Sequence, residues 1–393
     1  MTSGEPPRAR PDLGAWLRPM AQRDPGEPHR AATPLELFFD LCFVVAIANV
    51  ASHLHHGLAE GHFVEAARSY GMVFVAIWWA WMGLTWFATT YDNDDPLYRS
   101  TVFVQMVGVL VLAAGVPRAF DDGDFSIITL GYCIMRVALV SLWLRAALAD
   151  RPGRRTALRY AFGIATLQLG WIGLLFVPGS VWLVGWAVLI VLELLVPAWA
   201  TMARPTNWHR HHIAERYGLL TIIVLGESVL AATLAIQSAI DDGAVSIALL
   251  RAIGGGLLIL FSMWWIYFAD SAQGLLTSVR VAFQWGYGHL FIFASAAAVG
   301  AGLSVYADVV TGHAHLSGRS AAATIAIPAA VFLVTVWLLH VRPAGGGARR
   351  TAPFAVAIVL TLVAPFSPWP VLTIGVILTA LVALTLRRSA TAA

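Results

Sequence analysis

Residues 33–49 read TPLELFFDLCFVVAIAN, an almost unbroken apolar run that carries two carboxylates, Glu36 and Asp40, one helical turn apart. Similar runs recur along nearly the whole chain, and about 20 apolar residues are enough for an α-helix to cross the hydrocarbon core of a bilayer. Of the 393 residues, 59% are hydrophobic and 12% charged, whereas soluble domains are roughly a quarter charged. The sequence therefore predicts an all-α, polytopic membrane helix bundle.

The apolar runs divide the chain into about twelve candidate transmembrane helices. Arginines concentrate in alternate loops, which places both termini in the cytoplasm by the positive-inside rule and predicts a multi-pass protein of the cell membrane. We expect residues 1–32 to be a disordered cytoplasmic tail and 203–212 a cytoplasmic linker. The linker would join a first six-helix repeat (33–202) to a second (213–388), with a short tail at 389–393.

Two successive matches indicate the repeat. Aligning Glu36 with Glu215 also brings Leu41 onto Leu220 and Val45 onto Val224, and the next helices carry IWWAW from Ile77 and MWWIY from Met263. Both halves would have the same orientation, related by a pseudo-two-fold axis along the membrane normal, as in some transporters.

Three motifs carry a resemblance to a known family. TPLELFFDLCFVVAI, HIAERYGLLTIIVLGES and WWAWMGLTWFATTYDNDD are similar to segments of the bacterial low-temperature-requirement A family. The similarity covers roughly Thr33 to Asp270 and, more loosely, the remainder of the chain. The resemblance implies an integral membrane protein without implying a particular molecular activity. FFDLCFVVAI is also similar, more distantly, to the first helix of a two-repeat potassium channel family, in which a serine stands where this chain has Phe39.

The two acids of the first helix have different explanations. Thr33, Pro34 and Glu36 form a capping box with proline at the first helical position, so Glu36 has a structural role there. Asp40 lies a turn deeper, roughly 9 Å into the helix at 1.5 Å per residue, where no cap needs it. A carboxylate at that depth should face the bundle interior, a cation or water.

Polar side chains inside other predicted spans complete a candidate transport path. We expect Arg136 to pair with Glu193 or Glu227, which leaves one acid to be protonated, hydrated or bound to a ligand. His289 has a packed, hydrogen-bonded position as its simpler explanation, with proton relay as the alternative. The path residues are Asp40, Asn49, Arg136, Glu193, Glu215, Glu227, Ser228 and His289. The leading hypothesis is a transporter or channel-like protein for an ion or small solute, with proton coupling through Glu227 as one version.

The acidic stretch Asp92-Asn93-Asp94-Asp95, which follows a tryptophan-rich helix, supports a membrane-embedded enzyme as the alternative. Asp92, Asp94 and Asp95 could hold Mg²⁺ together with a diphosphate, since hard cations prefer oxygen ligands. The same residues resemble the D-x-D-D acid motif of class II terpene cyclases, which implies an isoprenoid substrate. A solvated loop that caps the third helix is the structural alternative. The sequence predicts no other cofactor.

The remaining features are less specific. Two histidine clusters (His53, His55 and His56; His209, His211 and His212) are predicted to be polar loops at the membrane interface, since neither shows a closed set of metal ligands. A net charge of +3 gives no indication of nucleic-acid binding. The expected partners are the bilayer and a small ion, solute or isoprenoid. A homo-oligomer and a non-catalytic stress-adaptation protein both remain open.

Overall fold

The computed structural model describes residues 18–27, 30–241, 246–270, 272–345 and 347–392. In that part of the chain twelve α-helices follow one another. They are α1 (Pro34–Ala59), α2 (Phe63–Tyr91), α3 (Pro96–Asp121), α4 (Ser126–Ala149), α5 (Arg154–Leu174), α6 (Gly179–Thr201), α7 (Arg210–Asp241), α8 (Ile247–Phe268), α9 (Val279–Thr311), α10 (Gly318–Val336), α11 (Gly347–Val363) and α12 (Pro370–Ala392). Short helical turns occupy Ala272–Gly274, Trp337–Val341 and Ala364–Phe366.

Eleven of these helices are long and apolar enough to cross a bilayer, the exception being α5. The predicted all-α, multi-pass architecture is thereby confirmed. We call the end of the bundle at which α1 and α7 begin the inner end, and the opposite end the outer end. The positive-inside pattern predicts that the inner end faces the cytoplasm, and this orientation stays a prediction.

Side-chain caps fix where several helices begin. The Thr33 hydroxyl accepts from the Glu36 backbone N–H, while the Glu36 carboxylate accepts from the Thr33 N–H at 2.9 Å, so the predicted capping box is present. The Asp95 carboxylate caps α3 by accepting from the Tyr98 N–H at 2.8 Å. Such caps satisfy backbone donors that have no partner within the helix.

Glycines set the closest helix crossings. A Cβ atom on Gly131 of α4 would lie 2.4 Å from the Leu112 nitrogen of α3. A Cβ on Gly302 of α9 would lie 2.5 Å from the Thr324 carbonyl oxygen of α10, and one on Gly255 of α8 would lie 2.6 Å from the backbone of α12. Small residues at these points let helix backbones approach, as is usual in membrane bundles.

The helix neighbours correspond between the two halves. The first helix packs against the third in each half, α1 against α3 and α7 against α9, and the third packs extensively against the fourth. In addition α9 packs against α1, so this helix of 33 residues lies between the first helices of both halves. These neighbours agree with a duplicated architecture, and the exact repeat boundaries stay a prediction.

Part of the predicted N-terminal tail is packed rather than free. Met20 is fully buried, and the Arg23 N–H donates to the Thr90 carbonyl at 2.9 Å. The amide of Gln22 bonds to Asp150 at 2.6 Å, and Asn207 donates to the Arg23 carbonyl at 3.2 Å. Residues 18–27 therefore cross the inner end from the α2–α3 loop to the linker between the halves, because an apolar anchor and backbone hydrogen bonds hold them there.

The other predicted tails are only partly described. Residues 1–17 lie outside the described part of the chain, and so does Ala393. The predicted C-terminal tail, 389–393, begins as a continuation of α12, which runs to Ala392.

Candidate functional site

An ion pair buried at the inner third of the bundle joins α1 to α7. Arg216 Nη2 donates to Asp40 Oδ1 at 2.6 Å, and neither side chain is exposed. The Trp81 indole N–H of α2 also donates to Asp40 Oδ1, at 2.7 Å. Asp40, the acid that no cap explains, thus has a cation and a hydrogen-bond donor as its partners.

Glu36 belongs to the same buried group. Its Oε1 lies 3.0 Å from His212 Nε2 and 3.6 Å from Arg216 Nη1, with both partners on the first turns of α7. Glu36 therefore combines its capping role with a second role between helices. We call Glu36, Asp40, His212 and Arg216 the inner cluster.

Two members of the inner cluster, Arg216 and His212, were not among the residues predicted for the site. Arg216 reads as one more arginine near the inner surface, and His212 as part of an interfacial loop. Both lie within α7 and are fully buried. The carboxylate of Asp40 was the available signal, because a buried acid requires a cation. The repeat alignment matches Glu36 with Glu215, and Arg216 is the next residue along the chain.

A second buried pair lies near the middle of the first half. Arg136 Nη2 of α4 lies 3.5 Å from Glu193 Oε2 of α6. Glu193 also accepts from the indole N–H groups of Trp79 at 2.7 Å and Trp171 at 3.2 Å, and Arg136 contacts the Tyr132 hydroxyl. Of the two acids predicted to partner Arg136, the structure therefore selects Glu193, and Glu227 is the acid left over.

Glu227 faces a cavity in the outer half of the bundle. The cavity has a volume of about 310 Å³ and is walled by α1, α7 and α9, with Ala48, Ser52, Ser228 and Gly300 among its lining residues. Glu227 lies near the middle of α7 and is half-buried, and within the described residues it has neither an ion-pair nor a hydrogen-bond partner. We call this space the outer cavity.

Polar groups line the outer cavity both at the level of Glu227 and near the outer ends of the helices. Ser228 Oγ donates to the Ala296 carbonyl of α9 at 3.1 Å beside Glu227. Near the ends of α1 and α9, His55 Nε2 lies 2.6 Å from Asp308 Oδ2, and both side chains line the cavity. A hydrophilic species could therefore meet protein ligands from the rim to the centre of the bundle.

Apolar packing separates the outer cavity from the inner cluster. Phe43, Ile47, Val224 and Phe293 lie between the two levels on α1, α7 and α9, and each is at most 2% exposed. These apolar side chains close the outer cavity toward the inner cluster.

Three other predicted path residues lie elsewhere. Asn49 is half-buried, but unlike its neighbour Ala48 it is not among the outer cavity's described lining residues. His289 is fully buried, with Nε2 at 3.0 Å from the Tyr267 hydroxyl and Nδ1 at 2.7 Å from the Trp285 carbonyl oxygen. Glu215 lines a different cavity, of about 410 Å³, near the inner end of α7 and α8.

The three aspartates proposed for the enzyme each have separate partners. Asp95 caps α3 and pairs with Arg145, and Asp94 pairs with Arg99 at 2.6 Å on the surface. Asp92 is buried, with Arg23 at 3.9 Å and Arg30 at 4.0 Å. In the described residues, no group of three or more His, Cys, Asp or Glu side chains could hold a metal ion.

The pKa shifts of these three aspartates follow from their contacts. Burial, reinforced by the nearby charge of Glu36, raises the pKa of Asp92 to about 6 despite Arg30 and Arg23. The hydrogen bond from Arg99 lowers the pKa of Asp94. Burial opposes ionisation of Asp95, but hydrogen bonds from Arg145 and two backbone N–H groups outweigh it and lower the pKa.

Both histidine clusters, predicted to be interfacial loops, lie largely on helices. His53, His55 and His56 are part of α1, and His211 and His212 are part of α7. His209 precedes α7 and bonds to the Glu27 carbonyl at 2.7 Å. The prediction failed because an apolar helix continues through these polar residues, which bond to the neighbouring helices and to the N-terminal segment.

The family model described as "Bacterial low temperature requirement A protein (LtrA)" matches residues 31–387. An uncharacterised protein of Rhizobium meliloti (strain 1021) is 28% identical over 283 residues, covering 66% of this chain. The chain matches 62% of the length of that relative. No solved structure matches.

Proposed function

The chain belongs to the bacterial low temperature requirement A family, and from the geometry of its outer cavity we propose that it moves a small ion or solute across the membrane. The observation that carries the proposal is an unpaired carboxylate, Glu227, in a cavity of about 310 Å³ between α1, α7 and α9. Acids at membrane depth are costly, and those that face internal cavities mark substrate and ion pathways.

The outer cavity and the inner cluster, at opposite ends of the α1–α7 contact, support a transport cycle. The outer cavity gives access to Glu227, while apolar packing and the inner cluster close the other side. To release its cargo inward, the protein would separate α1 from α7 and so break the contact of Asp40 with Arg216. Alternating access by rocking of two helix units around a central site is the usual mechanism of proteins built from repeats.

Proton coupling is the version of this proposal that the residues favour. Within the described residues Glu227 has no arginine partner to hold it permanently ionised, and it lines the outer cavity together with His55 and Ser228. Arg136, which could have fixed its charge, is bound to Glu193 at 3.5 Å. Glu227 is therefore able to exchange a proton or bind a cation from the outer side.

The enzyme alternative draws less support from the structure. Chemistry at Asp92, Asp94 and Asp95 would need carboxylates that converge on a metal or an alkene. Here each one is bound by its own arginine or helix terminus. The loop instead holds the N-terminal segment, since the Arg18 N–H donates to Asp95 Oδ2 at 2.9 Å.

A flux assay in proteoliposomes tests the proposal. We expect the protein to carry H⁺, Na⁺ or K⁺ above the rate of protein-free liposomes, measured with an internal pH dye or with radioactive tracers. Glu227→Gln should lower that flux by about tenfold or more, equivalent to roughly 1.4 kcal/mol of barrier stabilisation. The control is Glu60→Gln, an exposed acid beyond the end of α1, which should keep the wild-type rate.

Two results would overturn the proposal. One is Glu227→Gln flux equal to that of the wild type. The other is the absence of flux for these three ions and for every small solute tried through correctly folded wild-type protein, which would favour the non-transport alternatives.

A further inference from the structure

The outer cavity is formed by one face of each of three helices. On α9 its lining residues recur every three or four positions, at Ala297, Gly300, Ala301, Ser304 and Asp308. Residues three and four apart share one face of an α-helix, and the lining residues of α1 and α7 follow the same spacing within 48–55 and 227–234. At 1.5 Å per residue, the lined part of α9 is roughly 16 Å long. The cavity is therefore elongated along the helices.

One charged group that lines the outer cavity has no partner. Asp308 lies 2.6 Å from His55 near the outer ends of α9 and α1. Glu227 has neither an ion-pair nor a hydrogen-bond partner among the described residues, and no arginine is among the described residues that line the cavity. A carboxylate inside a membrane bundle is costly unless it is paired or neutralised. The cavity therefore suits a ligand with one positive charge and disfavours anions.

The size of the outer cavity disfavours a dehydrated metal ion as the molecule that fills it. Its volume of about 310 Å³ equals that of roughly ten water molecules. A dehydrated metal ion needs several protein ligands in direct contact, and the described residues contain no group of three or more His, Cys, Asp or Glu side chains that could hold one. Ala48, Ala231 and Ala301 add apolar surface to the wall. These properties suit an organic cation, whose apolar part would contact the alanines.

The lining residues favour an ammonium group that has N–H donors. Quaternary ammonium groups, which have none, are typically recognised by cages of aromatic rings. The chain has 16 tryptophans, 9 tyrosines and 19 phenylalanines, yet none of them is among the described residues that line the outer cavity. The wall instead includes the carboxylate of Glu227 and the hydroxyl-bearing residues Ser52 and Ser304, and carboxylate and hydroxyl oxygens accept hydrogen bonds.

We propose that the outer cavity binds a small organic monocation that carries a primary or secondary ammonium group. Glu227 would accept the N–H donors of this group. A carboxylate is neutralised either by a proton or by an ammonium group, so the two would compete for Glu227. This proposal rests on the proposed function, because it takes Glu227 as the cargo site, and it adds the chemical class of the cargo.

Thermal unfolding of the purified full-length protein in detergent, followed by tryptophan fluorescence, tests the proposal. Propylammonium chloride should raise the Tm in a saturable way above sodium chloride at the same concentration, since a ligand that binds the folded state stabilises it. Tetramethylammonium chloride has the same charge without N–H donors, and sodium propionate has a three-carbon chain with the opposite charge. Neither of these two salts should raise the Tm above sodium chloride.

Two variants separate the contribution of charge from that of space. Glu227→Gln removes the carboxylate, and Ala48→Leu fills part of the cavity without changing any charge. Each should raise the propylammonium concentration that gives half of the Tm shift by about tenfold or more. Glu60→Gln, which removes an exposed acid beyond the end of α1, should leave that concentration unchanged. If one of the two cavity variants fails to fold, the other still provides the comparison with the wild type.

Three results would overturn the proposal: no propylammonium shift above sodium chloride in the wild type, an equal shift with tetramethylammonium, or a wild-type response in the folded cavity variants. Binding is measured at equilibrium and does not require flux. Propylammonium binding in a protein without any flux would therefore contradict the transport function and leave this site standing. Flux that depends on Glu227, without propylammonium binding, would contradict only the ammonium ligand.

Discussion

Asp40 and Arg216 are separated by 176 residues in the chain, yet Arg216 Nη2 lies 2.6 Å from Asp40 Oδ1 with both side chains fully buried. This contact ties the first helix of one half to the first helix of the other. A buried ion pair gains little over an apolar substitute, but losing one partner leaves an uncompensated charge. The pair therefore fixes how the first helices of the two halves pack against each other.

Removing the cation from this pair should strongly destabilise the folded protein. We predict that Arg216→Met destabilises the protein by about 3–5 kcal/mol, because Asp40 then stays buried without a cation. The double variant Asp40→Asn/Arg216→Met should be more stable than Arg216→Met alone. Thermal unfolding in detergent measures both. Arg99→Met serves as the control, since its pair with Asp94 is exposed and water screens the attraction. Wild-type stability in Arg216→Met would contradict the predicted role.

The pKa of Asp92 predicts a specific pH dependence. Since burial raises it from 3.8 to about 6, the folded protein holds this proton more tightly than the unfolded chain. Stability should therefore fall as the pH rises from about 4 to about 6 and then level off, by an amount on the order of 2–3 kcal/mol. Asp92→Asn should remove this part of the pH profile. If unfolding midpoints of wild type and variant changed in parallel across this range, the assignment would be wrong.

The α3–α4 crossing should not accept a side chain at Gly131. A Cβ there would lie 2.4 Å from the Leu112 nitrogen and 2.5 Å from the Gly108 carbonyl oxygen, both of them backbone atoms. We expect Gly131→Ala to cost about 1–3 kcal/mol or to abolish folded expression. Gly71→Ala in α2 is the matched control, because nothing lies within 4 Å of its added carbon. Size-exclusion chromatography and thermal unfolding of the two variants provide the comparison, and equal behaviour would refute the close approach.

The packed N-terminal segment should protect the inner loops. Met20→Asp places a charge in a fully buried position, so residues 18–27 should detach from the bundle. Hydrogen exchange should then accelerate in the Asp92–Asp95 loop and around Asn207, which bond to this segment. Asp24→Ala, which removes only a local bond to the Gly26 N–H, should leave that exchange slow. Unchanged exchange in Met20→Asp would show that the segment does not hold these loops.

Local features could be predicted from the sequence because they depend on residues close in the chain. The capping box at Thr33 follows from a three-residue spacing, and the membrane helices follow from the length of apolar runs. The expectation that one of Arg136's two candidate acids would lack a partner followed from counting charges inside spans. The choice between Glu193 and Glu227 required knowing which helices touch.

The inner cluster and the packed N-terminal segment could not be predicted in this way. An arginine one turn into a helix, such as Arg216, has the same local pattern whether it faces water or a carboxylate on another helix. Which side of α7 faces α1 depends on tertiary packing, in which α9 contacts the first helices of both halves.

By itself, the sequence determined that this is a multi-pass helical membrane protein with more acids in its spans than it can pair with the one mid-span arginine. The energetic demands of the bilayer act on every residue of a span, so that information is present in composition and spacing. Only the tertiary structure decided which acid is neutralised and which one faces a cavity, since a partner's position depends on how distant helices pack. Arg216 and Glu227 lie eleven residues apart on α7, yet packing buries one against Asp40 and leaves the other in the outer cavity.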